Sequence, residues 1–354
     1  MEELRFNEPW LKIDNETGLP AQLYKEAGKS HVLYGKKVTA IAQRQDCDDV
    51  LFFIPGENRY ALVHLTWAER QLDRGWPVTS LFNTMKEVQE VIDRDIKDWK
   101  ESEDQPHSEI GGFVEGKKRI IIVGASSGIG KEMARQYALD GNIVAITGRR
   151  EELLEKMRRS FAGRIIYSVF DVTAANNIKH IEELVQRLNG LDILIYSSGV
   201  GGPSKDLEWQ LDKLTVDTNV NGFIEIANWS FNYFIKQGHG SMAVISSIAA
   251  NRGNSWAPAY GASKAFQSNY FEALAIKAKR MKKNIGITCI EPGFVATKMA
   301  QGNKQFWVVP VEKAAKQMID AIEKKKRKVY VSKRWWLIAK LMRIMPFGMY
   351  KNIG

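Results

Sequence analysis

Apolar and polar positions change their rhythm twice along this chain of 354 residues. Up to about residue 100 the apolar residues come in short runs, Val38 to Ala42, Val50 to Ile54 and Tyr60 to Trp67, with Pro55-Gly56-Glu57-Asn58 between the last two. Runs of that length separated by turn formers predict strands joined by a hairpin. From Thr84 to Lys100 the spacing lengthens, and Val88, Val91, Ile92, Ile96 and Trp99 recur at helical intervals with acids opposite them. Residues 1–100 therefore read as a small α+β module, an antiparallel sheet with a helix on it. His64 sits inside a strand run and reads as a sheet histidine rather than a catalytic one. The module has no nucleotide or metal motif, and its role stays open.

Residues 101–118 are polar, contain Pro106, Gly111, Gly112 and Gly116, and read as a linker. From Arg119 the rhythm becomes short continuous apolar runs alternating with amphipathic stretches. The predicted strands are Ile120 to Val123, Ile143 to Thr147, Ile165 to Val169, Ile193 to Tyr196, Ala243 to Ser246 and Ile287 to Ile290. Predicted helices cover about 129–139, 150–160, 175–188, 207–236 and 258–281. Repeated βα units with strands apolar throughout predict a Rossmann-like, doubly wound parallel sheet over 119–332, so the fold class is α/β preceded by the small α+β module.

Composition adds a second boundary. The net charge of +10 divides into −7 over residues 1–110 and +17 over 111–354, and residues 324–354 hold ten basic residues and no acidic one. Residues 333–354 form a basic tail in which Trp335 to Met345 predicts an apolar helix interrupted by Lys340 and Arg343. A basic amphipathic helix with tryptophan near one end fits a membrane interface, and it equally fits burial against protein. Nucleic acid is a poor partner for it, because its surface is mostly apolar rather than a basic groove with spaced aromatics. Cys47 and Cys289 stand far apart with no metal-ligand spacing around them, which argues against a disulfide framework or metal site and for a reducing compartment. The acidic start, Met1 to Arg5, does not resemble a secretory signal, and no run reaches the roughly 18 to 20 apolar residues that span a bilayer. The expected location is cytoplasmic, or peripheral on a membrane through the tail.

Two motifs carry candidate chemistry. Gly124-Ala125-Ser126-Ser127-Gly128-Ile129-Gly130 follows the first predicted strand and leads into a helix, so backbone amides can face a phosphate. Tyr260 and Lys264 stand four apart on a predicted helix, on one face, where an ammonium beside a phenol is expected to lower the phenol pKa. The second strand ends in Thr147-Gly148-Arg149-Arg150 with no acid before Glu151. An acid there would hold ribose hydroxyls, whereas an arginine accommodates a 2′-phosphate, so the expected cofactor is NADP(H).

With these residues in view, the stretch from about 118 to 332 resembles the short-chain dehydrogenase/reductase family. Gly124, Gly128 and Gly130 match its TGxxxGxG motif, with Val123 in place of the usual threonine. Asp171-Val172 resembles its adenine-contacting pair, Asn219 lies in a matching Asn-Val-Asn-Gly segment, and Ser247 precedes the Tyr260/Lys264 pair at the usual distance. Pro292-Gly293 with Thr297 resembles the segment holding the nicotinamide carboxamide, while the family's NNAG is Tyr196-Ser197-Ser198-Gly199 here. The resemblance implies that Tyr260 is the general acid/base and that Lys264 holds the nicotinamide ribose. It also implies that Ser247 binds the substrate oxygen and Asn219 a relay water. Ser126, Ser127, Ile129, Ser198 and Gly199 are expected at the cofactor, and the assembly is expected to be a dimer or tetramer through the long helices. A small carbonyl or alcohol is the implied substrate. Segments 200–205, 251–256 and 299–307 are expected to line its pocket, where Trp256, Met299, Phe306 and Trp307 suit an apolar substrate and equally suit a subunit interface. The alternative is a dinucleotide sensor or scaffold whose working part is the N-terminal module, a role with no need of an acid/base set.

Overall fold

The computed structural model describes residues 4–13, 18–45, 48–67, 71, 77–103, 116–204, 206–297 and 306–351. Cys47, Lys205, Met299 and most of the predicted linker lie outside them. The chain divides into two compact units, Met1–Ser108 and Glu109–Gly354.

The first unit runs β1 (Trp10–Lys12), α1 (Leu19–Glu26), β2 (Thr39–Arg44), β3 (Asp49–Ile54), β4 (Arg59–His64), β5 (Val78–Phe82) and α2 (Met85–Glu103). Its five strands form one antiparallel sheet in sequence order. Alternation along β3 and β4 gives the sheet two apolar faces. Val50, Phe52, Ile54, Ala61 and Val63 pack with Leu19 and Leu23 of α1, while Leu51, Tyr60 and Leu62 pack with Val88, Ile92 and Ile96 of α2. A helix thus covers each face, where the sequence pattern predicts only α2. The unpredicted β1 and β5 are the short edge strands, whose half-polar residues carry little periodic signal. The run predicted to reach Trp67 ends at His64, and Trp67 turns out at φ 57. His64 sits directly across from Asp49, with Nδ1 and Oδ1 2.6 Å apart.

The second unit is built on β6 (Arg119–Val123), α3 (Gly128–Leu139), β7 (Ile143–Gly148), α4 (Glu151–Ser160), β8 (Ile165–Val169), α5 (Asn177–Arg187) and β9 (Ile193–Tyr196). The chain continues through α6 (Trp209–Val216), a π-helical turn (Asp217–Asn221), α7 (Gly222–Gln237), β10 (His239–Ile245), α8 (Pro258–Arg280), β11 (Asn284–Pro292), α9 (Val311–Glu323) and β12 (Lys328–Val331). Two short helices close it, α10 (Trp335–Ile344) and α11 (Phe347–Tyr350). All seven strands are parallel in the order β8-β7-β6-β9-β10-β11-β12. Core residues of α3, α4 and α9 cover one face, and those of α5, α7 and α8 cover the other. The order reverses between β6 and β9, which opens a crevice at the carboxyl ends of these strands.

The helix expected over 207–236 runs without a break from Trp209 to Gln237, but a π turn at Asp217–Asn221 bulges it, a feature common at functional sites. Helix α9 escaped the periodicity reading because much of its buried stripe is small, Ala314, Ala315 and Ala321 among Met318, Ile319 and Ile322.

Candidate active site

The glycine turn lies at the switch point. Gly124 takes φ +84, and a Cβ on it would stand 2.5 Å from the Ser198 backbone nitrogen, so the turns after β6 and β9 can touch only at a residue without a side chain. A Cβ on Gly130 would likewise collide with the Gly124 carbonyl. Ser127 occupies the N-cap position of α3 without a side-chain capping bond, and the first turn holds no acidic residue, so the positive end of the helix is not compensated by its own sequence. Ile129 is half-buried against the core, while Gly128 faces the methyl group of Thr297, which brings the segment after Pro292-Gly293 to the same crevice. The missing side chains at Gly124 and Gly130 let the turn pack this closely, and its backbone amides at the start of α3 fit a pyrophosphate.

At the end of β7, Arg150 reaches back across the turn. Its Nη2 donates to Ser126 Oγ at 2.8 Å and Ser127 Oγ at 2.9 Å. Arg149 is exposed and pairs with Asp171 at 3.4 Å. Burial alone would raise the Asp171 pKa, but hydrogen bonds from the Thr173 amide and hydroxyl, together with Arg149, outweigh it and hold the carboxyl below its usual range. Val172 is buried, and its carbonyl accepts a bond from Asn177.

The predicted quartet comes from three elements: the π turn, the turn after β10, and α8. Asn219 belongs to the π turn and is wholly buried, with Nδ2 donating to the Val200 carbonyl at 2.7 Å and Ser263 Oγ at 3.0 Å. Its Oδ1 accepts from the Val200 amide at 3.0 Å. Ser247 follows β10, and its Oγ accepts from the Ala249 amide at 3.1 Å, leaving the hydroxyl hydrogen to donate elsewhere. Tyr260 stands in the first turn of α8, and Lys264 follows one turn later, only 3% exposed. Lys264 Nζ donates to the Ile245 carbonyl and to Gln267 Oε1, both at 2.9 Å, which leaves one of its three N–H bonds unassigned. A Cβ on Gly199 would lie 3.2 Å from Lys264 Nζ and 3.5 Å from Asn219 Oδ1, so these two polar atoms border one small space that the glycine keeps open.

Electrostatics correct the simple expectation for Tyr260. Burial raises its phenol pKa, with a hydrogen bond from Ser247 opposing, although the ring keeps some solvent access. Lys264 does not depress it here. The same burial brings Lys264 itself down to about 7, with its amine 5.8 Å from the centre of the phenol ring. A low-dielectric pocket penalises the charged form of each group.

Residues outside the predicted set organise the site. Gln267, wholly buried, joins Lys264 to the Asn219 carbonyl through a 2.9 Å bond from Nε2. It lies three residues beyond Lys264 on the same helix face, a spacing that could have revealed it. Tyr196, where the family pattern has asparagine, donates from its hydroxyl to the Thr218 carbonyl at 2.7 Å and so braces the π turn. Glu291, 0% exposed, accepts from Ser268 Oγ at 2.8 Å, Asn251 Nδ2 at 2.8 Å and Lys328 Nζ at 2.6 Å. Ser268 Oγ lies 2.9 Å from Ser246 Oγ, and the Ser246 hydroxyl donates to the Lys264 carbonyl. Glu291→Ala is therefore expected to lose about 3 kcal/mol in urea unfolding, because it strands buried donors and an ion-pair partner. A loss below about 1 kcal/mol would mean that these groups find other partners.

The expected pocket segments meet in part. The Ser204 amide donates to the Trp256 carbonyl at 3.0 Å, which joins 200–204 to 251–256. Phe306 and Trp307 cluster with Phe294 and with Trp335 of α10, ring centres 5.1 to 6.1 Å apart. The tail residue Trp335 packs against Gly293, a contact that only a missing Cβ permits.

A parallel doubly wound sheet with a glycine turn at its switch point is the architecture of a dinucleotide-binding oxidoreductase. The chain belongs to the short-chain dehydrogenase family, whose sequence model matches residues 118–306. It is 33% identical over 192 residues to an uncharacterized oxidoreductase of Myxococcus xanthus, covering 52% of this chain and 75% of that protein. Two solved structures share the fold at a TM-score of 0.56, each over 62% of this chain and 97% of its own. One is a variant of actinorhodin polyketide ketoreductase with NADPH, 22% identical. The other is a 3-ketoacyl-(acyl-carrier-protein) reductase of Brucella melitensis with NADH, 21% identical.

Proposed function

We propose that the chain is an NADP(H)-dependent reductase of apolar ketones or aldehydes, running the alcohol oxidation in reverse. The observation that carries this reading is the convergence of Ser247, Tyr260, Lys264 and Asn219 beside the glycine turn. Bound dinucleotide would supply or take up the hydride. Gly124, Ser126, Ser127, Gly128, Ile129 and Gly130 would hold its pyrophosphate, with Asp171 and Val172 at the adenine. Ser198, Gly199, Pro292, Gly293 and Thr297 would lie along the nicotinamide half.

The chain's own groups handle the proton. Tyr260 Oη, kept protonated at neutral pH by its raised pKa, donates to the oxygen that gains negative charge. Ser247 Oγ, its lone pair engaged by the Ala249 amide, donates a second hydrogen bond to the same oxygen. Lys264 would turn its remaining N–H to a ribose hydroxyl, and a water on Asn219 Oδ1, in the space in front of Gly199, would refill the Tyr260 proton through that hydroxyl. The aromatic wall of Phe294, Phe306, Trp307 and Trp335 favours a substrate with an apolar body. Exposed Phe266 and Ile276 on α8 support assembly into a homo-oligomer through the long helices.

Arg149 and Arg150 support NADP(H) over NAD(H), since they follow β7, where an arginine would accommodate a 2′-phosphate and an acid would hold ribose hydroxyls. NADPH consumption with a panel of apolar ketones and aldehydes tests the activity, with NADH as control. Arg150→Ala is expected to raise the KM for NADPH about tenfold or more and leave that for NADH nearly unchanged, the loss of one charge-assisted phosphate contact. Equal effects on both cofactors would remove the NADP(H) preference.

A further inference from the structure

The C-terminal segment has two apolar surfaces, and the domain uses only one of them. At about 100° per residue, Trp335, Ile338, Ala339 and Met342 fall on one side of α10. Trp335 and Ala339 are buried, and Ile338 and Met342 are half-buried. This side rests on Gly293, Phe294, Phe306 and Trp307. Arg252, from the loop between Ser247 and Tyr260, fastens the far end. Its Nη1 donates to the Met342 and Met345 carbonyls, and its guanidinium lies 4.3 Å from the centre of the Tyr350 ring. The tail is thus a docked part of the catalytic unit.

The opposite side is apolar and bare. Trp336, Leu337, Leu341 and Ile344 on α10 are 48 to 75% exposed, and Phe347 and Met349 on α11 are 75% and 63% exposed. Lys333, Arg334, Lys340, Arg343 and Lys351 are exposed around them, and Lys340 Nζ stands 4.8 Å over the Trp336 ring. With no acidic residue anywhere from 324 to 354, an apolar stripe lies beside a purely cationic border. Among the described residues no helix is long and apolar enough to cross a membrane, and a surface of this form instead suits the headgroup layer.

We infer that α10 and α11 form a docking surface for an anionic bilayer. Leu337, Leu341, Ile344 and Phe347 enter the acyl boundary, Trp336 lies at the headgroups, and the cations meet lipid phosphate and carboxylate. Charge decides between this occupant and a second copy of the chain. A two-fold contact through this face would bring one all-cationic border against another, whereas an anionic lipid surface neutralises it. Because Trp335 and Arg252 tie the same segment to the pocket wall, a docked enzyme would have its aromatic wall next to the lipid. The consequence that an apolar carbonyl compound arrives from the bilayer rests on the proposed reductase activity, whereas vesicle binding does not.

The test is cosedimentation of the full chain with phosphatidylcholine vesicles, with and without about a third phosphatidylserine. About tenfold more protein is expected to pellet with the anionic vesicles, and the gain is expected to fade in high salt. Leu341→Glu with Ile344→Glu should abolish pelleting while the melting temperature and NADPH binding stay unchanged. Lys340→Glu with Arg343→Glu should remove the preference for anionic lipid without touching the apolar stripe. A full chain that stays in the supernatant, or a Leu341→Glu/Ile344→Glu variant that pellets like wild type, overturns the proposal. So does a lower sedimentation coefficient of that variant in the absence of lipid, which would make the face a contact between copies.

Discussion

Tyr260→Phe is expected to lower kcat by about 10² to 10⁴-fold while NADPH still binds, the range that a positioned acid or base contributes. The substitution removes one oxygen and leaves the ring in the first turn of α8, so folding and the glycine turn stay intact. What disappears is the only phenolic proton in the quartet. Ser247 cannot replace it, because a serine hydroxyl is a far weaker acid and serves better as a hydrogen-bond donor. The pH profile should change with it. In wild type the raised phenol pKa keeps the donor protonated through neutral pH, so the reduction rate should fall only on the alkaline side; in Tyr260→Phe that alkaline limb should vanish. Stopped-flow NADPH oxidation and fluorescence titration of NADPH binding measure the two halves separately. A variant with nearly full turnover would show that the proton comes from elsewhere.

Lys264→Met is expected to have two effects of opposite kind. Turnover and NADPH affinity should fall together, since the amine is proposed to hold the nicotinamide ribose. The pH dependence of stability should change as well. The ordinary lysine value is 10.5, and burial brings Lys264 down to about 7 in the cofactor-free protein. Between those values the unfolded chain carries the proton and the folded chain does not, so stability rises with pH in that window. Below about pH 7 both states are protonated and the full cost of the buried ammonium is present. The stability of wild type relative to Lys264→Met should therefore be flat below pH 7 and climb above it, with a slope of at most about 1.4 kcal/mol per pH unit. Urea unfolding at pH 6, 7, 8 and 9 tests this, and a difference that does not move with pH would mean that the amine stays charged in the folded protein.

The stretches that read most clearly in the sequence are those whose signal is local. A continuous apolar run such as Ile120 to Val123, repeated between amphipathic stretches, reads as a buried parallel strand, and glycines between it and a helical pattern read as a tight turn. Tyr260 and Lys264 are legible for the same reason, because a spacing of four on a helix puts them on one face. Less legible are features set by partners distant in the chain. The π turn at Asp217–Asn221 depends on Asn219 finding Val200 and Ser263, and on Tyr196 bracing Thr218. Glu291 is an ordinary charged residue by sequence, and its buried network requires β12 to bring Lys328 beside it.

The sequence by itself determined the parallel sheet, the glycine turn at its first strand and the residue types of the quartet, because each follows from neighbours within a few positions. Only the tertiary structure decided what those residues experience. Burial raised Tyr260 and brought Lys264 to about 7, reversing the effect that an exposed pair would have, since desolvation acts on both charges and depends on everything packed around them. Tertiary structure also split the apolar tail into a docked side and a bare side. A helical pattern shows which residues are apolar, and the surface it meets decides how many of them it covers.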